Sequence, residues 1–113
     1  MGRWAQARRR GSASNAAGAV PLPIGVVLTG DIFSVTIELN WGSLGGNPTT
    51  GWDLELYNVT FGSTLIESDS IAGALRVFDF TTPFAAFQQY NARIRGNNGG
   101  GQVSAWVTSN TIG

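Results

Sequence analysis

The feature that most constrains this chain is a run in which large apolar residues return at every second position. Phe33, Val35, Ile37, Leu39 and Trp41 are separated by Ser34, Thr36, Glu38 and Asn40. A period of two puts the five side chains on one face of an extended strand, where a helix would scatter them around its axis. The same rhythm recurs in Trp52, Leu54 and Leu56 against Asp53, Glu55 and Tyr57, and in Tyr90, Ala92 and Ile94 against Asn91, Arg93 and Arg95. Segments of this kind must bury their apolar faces against a second layer.

Between these runs lie turn-forming clusters. Gly42 to Gly51 is rich in Gly, Asn, Pro and Thr, and Asn58 to Ser63 breaks the strand before it. Thr64 to Ser68 is expected to form a short edge strand, and Ala74 to Thr81 a further one. Gly96-Asn97-Asn98-Gly99-Gly100-Gly101 offers residues that tolerate positive φ and predicts a hairpin tip, with Val103 to Ser109 pairing back as the last strand. About seven short strands with no helical window predict an all-β sandwich over residues 24–113. Tyr57, Phe61, Phe78, Phe87 and Trp106 cannot all join Trp41 and Trp52 in one small core. Tyr57 and Trp106 are the candidate surface contacts, and Trp41, Trp52 and Tyr90 the candidate core.

The chain has 113 residues, one domain of ordinary size, with neither His nor Cys. That excludes Ser-His-Asp and Cys-His nucleophile systems, zinc sites of the usual ligands and any disulfide framework. Asp53 and Glu55 share the outer face of one strand and have the spacing of a glycosidase pair, but alternation alone explains them. Glu67 and Asp69 are likewise read as solvated charges on an edge, where they discourage edge-to-edge aggregation. No catalytic residue, cofactor or metal is assigned, and the chain is expected not to be an enzyme. A formal net charge of zero argues against a general nucleic-acid binder. No apolar stretch approaches the roughly 18 residues of a membrane span.

That zero is made of two unlike parts. Residues 1–20 contain Arg3, Arg8, Arg9 and Arg10 and no acid, a charge of +4. Residues 21–113 contain three arginines against seven carboxylates, a charge of −4. Residues 1–23, rich in Gly, Ala, Ser and Arg and closed by Pro21 and Pro23, have too few large apolar groups to fold alone. They read as an extended arm. A secretory or twin-arginine leader is disfavoured, because Gly11 to Gly18 is small and polar where the apolar run should follow. Such an arm orders only where another surface offsets its entropy, so it is expected to be pinned on another chain. Trp4 would fill a pocket there, and Arg3, Arg8, Arg9 and Arg10 would pair with carboxylates.

From Phe33 to Thr111 the chain resembles a fibronectin type III domain, an immunoglobulin-like β-sandwich. The resemblance rests on Trp41 ending the second strand, Trp52 opening the third after Gly51, and Tyr90-Asn91-Ala92-Arg93-Ile94-Arg95-Gly96-Asn97 standing where the family has its tyrosine corner. Phe84 stands for the family's Leu before that corner, and Ala86 replaces its Pro. The resemblance implies a binding or spacer module. Joined to a basic arm, absent Cys and absent Lys, it is similar to small bacteriophage virion proteins. The expectation is a multi-copy capsid decoration protein located in the virion, its partners the major capsid protein or neck and tail subunits. A neck or tail protein is the second placement. A carbohydrate- or receptor-binding module on a phage fibre or bacterial surface is the alternative.

Overall fold

In a computed structural model that describes residues 19–113, eight strands form two antiparallel sheets, with no helix among the described residues. The first sheet has the order β1-β2-β5, from β1 (Leu22–Thr29), β2 (Glu38–Leu44) and β5 (Val77–Asp79). The second has the order β4-β3-β6-β7, from β4 (Thr64–Ile71), β3 (Gly51–Asn58), β6 (Tyr90–Gly99) and β7 (Gln102–Val103), with β8 (Val107–Thr108) also on β6. The arrangement is sandwich-like and compatible with an immunoglobulin- or fibronectin type III-like fold.

Alternation places the core. Leu28 of β1, Ile37, Leu39 and Trp41 at β2, Trp52, Leu54 and Leu56 of β3, and Tyr90, Ala92 and Ile94 of β6 are all buried between the sheets. The three residues expected in the core, Trp41, Trp52 and Tyr90, are 5%, 0% and 3% exposed. Trp41 and Trp52 meet edge to face across the interior at 6.0 Å, an arrangement favoured by the aromatic quadrupole. The Tyr90 hydroxyl accepts a hydrogen bond from Ala85 N at 3.1 Å, and Phe84 packs on its ring at 5.3 Å. This is a side chain tying its own entry loop to the strand, as a tyrosine corner does.

Several expectations need correction. The first alternating run is a strand only from Glu38 onward, and Phe33 and Val35 are exposed rather than buried with Ile37. Asp31 is the reason. Its carboxylate accepts from the backbone N of Phe33 and Ser34 at 2.8 and 2.7 Å, and its carbonyl from Val35 N at 2.9 Å, so the chain turns there. Strand β1, a strand before the one ending at Trp41 to which no residues were assigned, begins at Leu22, inside the stretch expected to be the arm. A register shift between Ile24 and Val27 hides its period. β4 runs to Ile71 rather than ending at Ser68, and β5 is only Val77–Asp79. The last strand is broken into β7 and β8, which gives eight strands rather than seven. Arg3, Trp4, Arg8, Arg9 and Arg10 lie outside the described residues.

The two poles differ. At one, the chain enters through Val20 and Pro21, which pass so close to β6 that a Cβ on Gly96 would strike the Pro21 carbonyl. Ala19 lies further out, its carbonyl accepting from Asn98 Nδ2 at 3.3 Å. At the other pole lie the β1–β2, β3–β4 and β5–β6 loops. They are linked by Phe84 N to Val35 O at 2.6 Å, Val59 N to Gln89 O at 2.8 Å and Asn58 Nδ2 to Gln88 Oε1 at 2.9 Å.

Candidate functional site

The outer face of the five-stranded sheet brings together Tyr57 and Trp106, the two surface candidates. Because Leu54 and Leu56 point into the core, Asp53, Glu55 and Tyr57 must point outward. β6 lies beside β3 in a register that sets Arg95 opposite Asp53 and Arg93 opposite Glu55. Opposite charges facing across strands attract, and both pairs close. Arg93 Nε donates to Glu55 Oε1 at 2.6 Å, and Arg95 Nε to Asp53 Oδ2 at 3.0 Å. Asn97 Nδ2 and Ser70 Oγ also donate to Asp53, at 3.1 and 3.3 Å, and Tyr57 donates to Glu55 at 2.7 Å.

Burial works to raise the Glu55 carboxyl, but the hydrogen bonds from Tyr57 and Arg93 and the arginine charges outweigh it and hold it below its ordinary value. The Tyr57 hydroxyl is pushed up, chiefly because it donates to that carboxylate. Glu55 is therefore held as a carboxylate, and both acids are clamped by arginine. A glycosidase pair keeps one carboxyl protonated with a raised pKa, and Glu55 is shifted the opposite way.

Trp106 reaches this face through the break in the last strand. Where the backbone of residues 104–106 leaves the ladder, two serines fill in: Gly96 N donates to Ser104 Oγ at 2.9 Å and Ala92 N to Ser109 Oγ at 3.0 Å. Hydroxyls thus accept where strand carbonyls otherwise would, and Trp106 is set over β6. The guanidinium carbons of Arg93 and Arg95 lie 4.2 and 4.4 Å from its ring centroid, and Arg93 lies 5.5 Å from that of Tyr57. Such cation–π contacts are worth about 0.5–1 kcal/mol each where partly exposed. An open cleft of about 320 Å³ runs beside the indole, lined by Asp53, Glu55, Ser68, Ser70 and Arg95 among others. Sequence reasoning missed that Arg93 and Arg95 hold Trp106, since only the β6–β8 register reveals it.

Glu67 and Asp69 are not on this face. β4 is an edge strand as expected, but they stand opposite Leu56 and Leu54 and therefore point inward. Glu67 accepts from Thr81 N at 3.0 Å and from Thr82 N and Oγ1 at 2.8 Å, tying the seam between the sheets. Burial and then the adjacent Glu67 push Asp69 up to about 6. Burial opposes ionisation of Glu67 too, but hydrogen bonds from Asp69, Thr81 and Thr82 hold it down at about 2. Of the two, Glu67 is the acid held ionised and Asp69 the one that keeps its proton to higher pH. Inward charge on an edge blocks pairing with another sheet.

Among the described residues no group of three or more acidic, His or Cys side chains is placed to hold a metal ion. In comparisons with known proteins, no family model matches the chain, and no curated protein is significantly similar to it.

Proposed function

We propose that this chain is a non-enzymatic structural protein of a bacteriophage virion, a capsid decoration protein held to the shell through residues 1–18. Its sandwich is read as fibronectin type III-like, supported by the order of its sheets and by the Tyr90 corner. The observation that carries the reading is an imbalance of charge. Arg93 and Arg95 are engaged by Glu55 and Asp53, and Arg76 by the carbonyls of Gly73 and Leu75 and by Asn47. The four remaining arginines all lie in residues 1–18, and in this reading they pair with carboxylates of the shell. A tether of this kind adds its contacts to whatever the sandwich buries and raises occupancy through effective concentration. The partners are then the major capsid protein or, in the second placement, neck or tail subunits.

Deleting residues 2–18 is expected to abolish incorporation into particles while leaving the far-ultraviolet circular dichroism of the sandwich unchanged. Normal occupancy of the deleted form would overturn the proposal. The cleft beside Trp106, with hydroxyls and charged groups against an indole, favours glycan binding as a second reading. Glycan-array signal that disappears in Trp106→Ala would support it.

A further inference from the structure

The pole away from residue 19 carries the apolar surface that the core leaves over. Phe33, Phe61 and Phe87, one from each loop, are 91%, 94% and 97% exposed. Their loops are tied down by the backbone and side-chain bonds between Val35 and Phe84 and between Asn58 and Gln88. The two non-glycine residues of positive φ among the described residues are here as well, Val35 at 67° and Phe87 at 64°. That conformation costs bulky side chains on the order of 1 kcal/mol each, and it collects where loops are shaped for a ligand. Ile32, Phe84, Ala86 and Phe87 line an apolar cleft of about 440 Å³.

This cleft shares Gly30 and Asp31 with a polar groove that continues along the three-stranded sheet to Glu38 and Asp79. Glu38 and Asp79 face each other directly in the β2–β5 register. Like charges so placed repel. Burial and then Glu38 raise the Asp79 carboxyl above its ordinary value. Among the described residues, none of Asp31, Glu38 and Asp79 has an arginine partner. The two grooves together suit a segment with one large apolar side chain close to several cations.

Residues 1–18 have that composition: Trp4, then Arg8, Arg9 and Arg10. Four extended residues span roughly 13 Å, so a Trp4 in the cleft leaves the arginines reach for the groove. Glu38 lies across from Thr29, two residues from Asp31, about 7 Å along the strand. The contact favours another molecule. Pro21 lies against Gly96 and Ala19 against Asn98, further along β6. At Ala19 the chain therefore points away from its own phenylalanine pole.

We propose that the cleft of Ile32, Phe84 and Phe87, with the exposed Phe33 next to Ile32 on the same loop and the carboxylates of Asp31, Glu38 and Asp79, is a docking site for residues 1–18 of a second copy of this chain. Trp4 enters the apolar cleft and Arg8, Arg9 and Arg10 meet the acids. The contact is head to tail, so it propagates from copy to copy rather than closing as a symmetric pair. It rests on the tether reading of residues 1–18 and specifies one surface they grip.

The test uses two full-length variants in analytical ultracentrifugation. One carries Trp4→Ala with Arg8→Ser, Arg9→Ser and Arg10→Ser; the other carries Phe33→Ser with Phe87→Gly. The second is expected to fold, since glycine accepts the positive φ at position 87. The unaltered chain is expected to grow beyond a dimer at about 100 µM, where a micromolar contact is saturated. Each variant alone stays monomeric, and their equimolar mixture associates and stops at a dimer, because one arm and one pole remain intact. A monomeric unaltered chain, as when each arm lies on its own sandwich, overturns the proposal, and so does growth that survives Phe33→Ser with Phe87→Gly. The virion reading is judged separately, by normal particle occupancy of the arm variant.

Discussion

Trp41 and Trp52 come from opposite sheets and meet edge to face in the core, yet their polar atoms fare differently. Trp52 Nε1 donates to Gly73 O at 3.0 Å, and the Arg76 guanidinium lies 5.4 Å from its ring centroid. Trp41 Nε1 is buried with no hydrogen-bond partner among the described residues. The same contrast holds for the outer faces. On the five-stranded sheet Asp53 and Glu55 are each matched by an arginine, whereas on the three-stranded sheet Glu38 faces Asp79. The outer face of the five-stranded sheet pairs its own acids with arginine. On the other sheet the facing acids have no arginine partner among the described residues.

The largest expected effect tests where stability resides. Trp52→Ala removes the most buried large side chain and should cost about 3–5 kcal/mol, measured by urea unfolding; a cost under about 2 kcal/mol would break the contrast. Replacing each tryptophan by Phe sharpens it. Trp52→Phe removes one of two hydrogen bonds to the Gly73 carbonyl, which keeps Arg76 Nη1 as a donor at 2.6 Å. It should cost about 0.5 kcal/mol more than Trp41→Phe, which removes an N–H without a partner among the described residues. The reverse order would contradict it.

The seam between the sheets gives a smaller, pH-dependent effect. Asp69 is raised from 3.8 to about 6. The folded chain therefore binds more protons than the unfolded one between those values, and stability falls as pH rises through that window. Glu67, lowered from 4.5 to about 2, stabilises above 4.5 and loses that contribution as pH falls toward 2. Asp69→Asn should raise stability by about 1 kcal/mol at neutral pH, with the gain shrinking by about pH 4. A gain independent of pH would show that the raised Asp69 carboxyl is not its cause. The smallest effect compares the two faces directly. Glu55→Gln should lower stability by about 0.5 kcal/mol, while Glu38→Gln should raise it by a few tenths; equal urea midpoints would erase the distinction.

The alternation of Trp52–Tyr57 and Tyr90–Arg95 was legible because each strand is half-buried and its faces differ in polarity. Phe33 and Val35 obeyed the same pattern without being in a strand, since periodicity does not register the Asp31 turn that redirects the backbone. β1 escaped notice because Pro23, Gly25 and the register shift before Val27 interrupt its period. Tyr57 and Trp106 were identifiable as aromatics in excess of the core. Their meeting through Arg93 depends on long-range pairing that no local pattern encodes.

Asn110 gives the molecule a mechanical property. Its side chain accepts from Leu28 N at 2.8 Å and donates to Leu28 O at 3.0 Å, so the end of the chain is sewn to β1 as another strand would be. A pull on residue 19 away from the opposite pole runs along β1. It loads the β1–β2 ladder and the two Asn110 bonds side by side, in shear, so they must rupture together rather than unzip in turn.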